Sequence, residues 1–99
     1  MARPISFAAE VWEHDGPASW YFISLPEAEA DDIEAEFGQR AGGFGSVRVE
    51  VMIGDTQWAT SLFPDNKRAT YLLPVKKAVR KAEGITAGSV VTVNLTVVT

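Results

Sequence analysis

The chain contains no cysteine and only one histidine, His14, among its 99 residues. Without thiols there is no disulfide frame, no thiolate nucleophile and no cysteine-ligated zinc, and the composition suits a reducing cytoplasm, where the protein is expected. A single imidazole leaves no two-histidine metal site within one chain, so no metal and no cofactor are expected. Positive charge is in the minority. Nine Lys and Arg against thirteen Asp and Glu give a net charge of −4, which weighs against tight non-specific binding to nucleic acid or to an anionic membrane. No apolar run approaches the roughly 20 residues of a membrane span, and Met1-Ala2-Arg3-Pro4 opens no stretch of signal-peptide type.

What remains is enough for one domain with a core of its own, since 46% of the residues are apolar. Residues 5–13 alternate, with Ile5, Phe7, Ala9 and Val11 on one face and Ser6, Ala8, Glu10 and Trp12 on the other, the period of a strand. Turn formers His14-Asp15-Gly16-Pro17 lead to a second strand, Ser19 to Leu25, with Trp20 and Phe22 on one face. Pro26 then opens a helix that carries Ala30, Ile33 and Phe37 on a narrow stripe among six acids, and Gly38 ends it. The glycine-rich residues 38–45 read as a flexible connection.

Beyond that connection Val47, Val49, Val51 and Ile53 alternate with polar partners, and Gly54-Asp55 marks a turn into a strand from Thr56 to Phe63. A polar loop and a short strand, Ala69 to Leu73, precede a second helix from Pro74 to Gly84, whose apolar face is read as Val75, Ala78, Val79 and Ala82. The last strand runs from Val90 to Val98. Each half, 5–37 and 46–98, thus shows strand, turn, strand and then Leu-Pro before a helix, at Leu25-Pro26 and at Leu73-Pro74, which suggests duplication. Six or so short strands with two short helices predict a mainly β fold, a small closed β-barrel flanked or plugged by its helices, because closure hides the sheet edges.

Several strings in these elements carry a family resemblance. Trp20-Tyr21-Phe22, Phe44-Gly45-Ser46-Val47-Arg48-Val49, Trp58-Ala59-Thr60-Ser61-Leu62-Phe63-Pro64 and Leu73-Pro74-Val75-Lys76-Lys77-Ala78-Val79-Arg80 resemble the bacterial domain-of-unknown-function family nineteen-oh-five over nearly the whole chain. The resemblance implies a double-split β-barrel with internal duplication and no established activity. Tyr71 to Val93 is also similar, in part, to antitoxins and transition-state regulators of double-split architecture that bind DNA as dimers. Here Ser89 follows Gly88 where those proteins carry an acid, and with Arg3 the one basic residue before Ile5 a basic amino-terminal arm is not expected.

Few residues suggest chemistry. Glu10, Glu13, His14 and Asp15 read as a solvated turn, Ser61 and Thr60 as strand hydroxyls without a neighbouring base, and Gly42-Gly43-Phe44-Gly45 as a linker that lacks the Lys-Ser/Thr of a phosphate loop. Trp12, Trp20 and Trp58 are expected first as caps on the barrel core and second as walls of a pocket. The second helix splits into an apolar face and a basic face of Lys76, Lys77, Arg80 and Lys81, of which Lys76 and Arg80 stand one turn apart. The expected function is therefore a non-enzymatic module, monomer or homodimer, that binds a small ligand or a protein partner through the tryptophans or through Lys76 and Arg80. A DNA-binding regulator that uses the basic helix is the alternative, and an enzyme ranks third.

Overall fold

The computed structural model describes residues 4–16, 19–38 and 45–98. Its elements are β1 (Pro4–His14), β2 (Trp20–Ser24), α1 (Glu27–Phe37), β3 (Val47–Ile53), β4 (Thr56–Asp65), β5 (Thr70–Pro74), α2 (Lys77–Glu83) and β6 (Val90–Val97). The six strands close into a barrel in the order β1-β2-β5-β4-β3-β6, and every neighbouring pair is antiparallel. Alternation explains what fills it. Phe7 and Val11, Ile23, Val47 to Ile53 at every second position, Trp58 and Leu62, Tyr71 and Leu73, and Val93, Leu95 and Val97 are all buried, and no polar or charged residue shares that core among those described. Ala30, Ile33 and Val79 add one helix face from each of α1 and α2.

Because β2 runs into α1 and β5 runs into α2, and these two strands are antiparallel neighbours, the helices cover opposite ends of the barrel. A two-fold axis perpendicular to the barrel, passing between β2 and β5 and between β3 and β6, carries β1 onto β4, β2 onto β5 and β3 onto β6. The registers obey this two-fold. The Leu25 amide donates to the Tyr71 carbonyl at 3.0 Å, and the Val75 amide donates to the Tyr21 carbonyl at 2.9 Å, about a central Ile23–Leu73 pair. Phe7 faces Val93 across β1 and β6 as Trp58 faces Val51 across β4 and β3. The helices follow suit, with Pro26 and Lys76 as their N-caps, both in extended backbone. The repeating order is thus β1-β2-α1-β3 followed by β4-β5-α2-β6, meeting at the Gly54-Asp55 turn, where Gly54 takes a positive φ of 58°. Within the glycine-rich stretch where the sequence suggested a junction, residues 39–44 lie outside the described residues.

Two expectations need correction. Leu25-Pro26 is not the counterpart of Leu73-Pro74, because the two-fold places Leu25 on Val75 and Pro26 on Lys76. Pro74 closes β5 opposite Phe22, and the Val75 amide is taken by the Tyr21 carbonyl, so α2 starts only at Lys77. Its buried face is accordingly narrower than the spacing implied, since Val79 is buried while Ala78 and Ala82 are exposed and Val75 is buried ahead of the helix. Gly84 ends α2 in the left-handed conformation, as its position suggested.

Candidate functional site

Strand parity sends the outward side chains of β1 and β2 to one aromatic strip. Phe22 lies at its centre, with ring centroids 5.3 Å from Trp12, 6.2 Å from Trp20 and 6.4 Å from His14. Trp12 is committed to the fold on this surface. Its indole N–H donates to Ser24 Oγ at 3.0 Å, and the Arg68 guanidinium covers its ring at 4.6 Å while pairing with Asp65 at 2.7 Å. That hydrogen bond from Arg68 holds the Asp65 carboxyl below its ordinary value. Trp58 is committed differently, as a core residue only 8% exposed in β4. Trp20, by contrast, is 55% exposed at the start of β2.

Trp20 stands beside the cations of α2. The Arg80 amide donates to the Lys76 carbonyl at 3.1 Å, which sets Lys76 and Arg80 one turn apart. The Arg80 side chain is not free in solvent, as the helical period alone implied. Its Nε donates to the Val75 carbonyl at 3.1 Å, and its guanidinium carbon sits 3.8 Å from the centre of the Tyr21 ring. Among the described residues no carboxylate lies within ion-pair distance of Lys76, Lys77 or Arg80. A groove of about 330 Å³ runs between Trp20 and these cations, with Tyr21, Pro74 and Val75 among its lining residues. The structure therefore brings together three of the five residues singled out from sequence, Trp20, Lys76 and Arg80, and leaves Trp12 and Trp58 outside.

The two-fold supplies an internal comparison. At the other end of the barrel a groove of about 220 Å³ is lined by Thr70 and Tyr71, the counterparts of Trp20 and Tyr21, and by Ala30, which like Arg80 is the fourth residue of its helix. The charge there is reversed, since Asp31, Glu34 and Asp65 line it. Tyr71 also differs from Tyr21 in its partner, because its hydroxyl donates to Glu34 Oε2 at 2.6 Å. Burial, helped by that carboxylate, pushes the Tyr71 phenol up to about 12. One backbone frame thus carries a cationic aromatic groove at one end and an acidic groove at the other. The frame itself requires neither Trp20 nor Arg80.

Sequence reasoning passed over Tyr21, Pro74 and Val75 as site residues. The alternation of β2 places Tyr21 on the inward face, but nothing in the chain signals that Arg80 lies across its ring. Of the remaining candidates, Glu10, Glu13, His14 and Asp15 are exposed, and Ser61 is half-buried opposite Arg48. Residues 42–44 of the glycine-rich motif lie outside the described residues. Comparison with curated proteins finds no match. A family model does match, the domain of unknown function DUF1905, over residues 7–95, from Phe7 in β1 to Leu95 in β6, and the chain belongs to that family.

Proposed function

We propose that this barrel is a non-enzymatic binding module that takes an anionic ligand in the groove between Trp20 and α2. The observation that carries the reading is Arg80, fixed by the Val75 carbonyl and the Tyr21 ring, with Lys76 and Lys77 beside it and, among the described residues, no carboxylate paired to any of them. A guanidinium held in this way loses little rotamer freedom when it meets a carboxylate or phosphate, and its planar fork suits bidentate contact. Duplication of the strand-strand-helix-strand unit accounts for the frame, and divergence of one copy accounts for the groove. A DNA-binding reading has less support, because the basic cluster of Lys76, Lys77, Arg80 and Lys81 occupies one end of the barrel while six acids occupy α1 at the other and the net charge is −4.

The test is a titration of inorganic phosphate into isotope-labelled protein, followed by amide shifts. Saturable shifts at residues 19–21 and 75–80, weakened by salt and by the paired change Lys76→Gln with Lys77→Gln, are expected. Absence of saturable shifts there, or shifts that the paired change leaves intact, would overturn the proposal.

A further inference from the structure

We infer that the ligand of this groove joins a flat ring to its anionic group. The inference rests on the anion-binding reading above and adds the ring. A bare phosphate or carboxylate needs only the cations, yet the groove also presents the exposed indole of Trp20 and the half-buried ring of Pro74. More than half of the Trp20 surface meets water, which an apolar ring of that size does at a loss unless something covers it. The Trp20 ring lies 9° from parallel to that of Phe22 with centroids 6.2 Å apart, a neighbour that favours this orientation of the indole.

The opposite groove shows that the fold does not impose these residues. Thr70 stands where Trp20 stands, and Ala30 where Arg80 stands, on the same strand-to-helix frame. The indole and the guanidinium are therefore additions to one end of a frame that closes without them. A volume of about 330 Å³ is at the lower end of small-ligand sites, which fits one ring system with its charged group. In the bound state the ring stacks on Trp20, while Arg80, Lys76 and Lys77 hold the anion. Two sources share this chemistry, an aromatic phosphate such as a nucleotide and an aromatic carboxylate.

Calorimetry with the intact chain distinguishes them, with adenosine monophosphate, indole-3-acetate, adenosine and inorganic phosphate as probes. At least one ring-bearing anion is expected to bind about tenfold more tightly than either adenosine or phosphate, and which one does so identifies the source. Trp20→Ala is expected to level that ligand with inorganic phosphate. Asp31→Asn in the opposite groove is expected to leave its affinity unchanged, and thermal melts confirm that both variants fold. Phosphate binding as tightly as both ring-bearing anions, or ring preference surviving Trp20→Ala in a folded protein, would overturn the ring while leaving the anion site standing. Failure of every anion to bind would overturn both.

Discussion

Tyr21 and Tyr71 occupy equivalent positions in the barrel, yet removing their hydroxyls is expected to have unequal effects. Tyr71→Phe keeps the buried ring, which is 4% exposed, and deletes a hydroxyl that donates to the Glu34 carboxylate at 2.6 Å. Hydrogen bonds to charged groups are worth about 1.5 to 3 kcal/mol, and Glu34 is exposed and regains water once released, so a loss of about 1 to 2 kcal/mol is expected. Tyr21→Phe keeps the ring beneath Arg80 and removes a hydroxyl with no hydrogen bond among the described residues, so a change within about 0.5 kcal/mol is expected. The pH dependence separates the effect of Tyr71 further. Its phenol is raised from 10.0 to about 12 in the fold, so the unfolded chain ionises first. The associated stability is complete below about pH 10 and is lost as pH rises toward 12, by roughly 2 kcal/mol. Urea unfolding of the parent, Tyr71→Phe and Tyr21→Phe, followed by tryptophan fluorescence at neutral and alkaline pH, measures each of these quantities. Equal stability of parent and Tyr71→Phe, or an alkaline loss that Tyr71→Phe retains in full, would refute the reasoning.

Trp58→Ala is expected to destabilise by about 3 to 5 kcal/mol in denaturant unfolding, because it empties a large site opposite Val51, whereas His14→Ala on the exposed end of β1 is expected to change stability by less than about 0.5 kcal/mol. Gly54→Ala is expected to lower the melting temperature, because it combines a left-handed φ of 58° with a methyl group set against the Glu83 carboxylate that accepts the Thr56 hydroxyl at 2.6 Å. Gly84→Ala meets only the backbone term, since nothing lies near its added methyl, and is expected to be the milder of the two. The Asp65–Arg68 pair is expected to contribute above the ordinary carboxylate value of 3.8 and to fade as pH falls through the lowered value, a dependence that acid unfolding of Asp65→Asn should lack.

Strand alternation was the most legible property of the chain. The expected inward residues of β3 are all buried and its expected outward residues Arg48, Glu50 and Met52 are all exposed, because a strand with one buried face fixes every side chain by parity. The same parity places Trp12 on the face opposite Phe7 and Val11, which is where the structure has it; the expectation that all three tryptophans cap the core holds only for Trp58. Helix α2 was overextended because Val75 has helical spacing to Val79. Spacing cannot show that pairing with β2 already claims the Val75 amide. The two-fold was hidden behind the repeated Leu-Pro pairs, which are two residues out of step with the backbone equivalence. Trp20, Lys76 and Arg80 were recognisable by type and by their place on a strand end and a helix. Their convergence depends on the β2–β5 pairing, which brings distant segments together, and no local pattern encodes it.

The central claim is that one end of a two-fold frame has become a site for an aromatic anion, and the most direct measurement is a chemical-shift map with whichever of adenosine monophosphate and indole-3-acetate binds more tightly in calorimetry. Resonances of the Trp20 indole N–H, the Tyr21 and Val75 amides and the Arg80 side chain are expected to move together along one saturable curve, while the Trp58 indole in the core stays in place. Shifts centred on Tyr71, Asp31 and Glu34 at the opposite end, or no saturable movement of the Trp20 and Arg80 resonances, would contradict it.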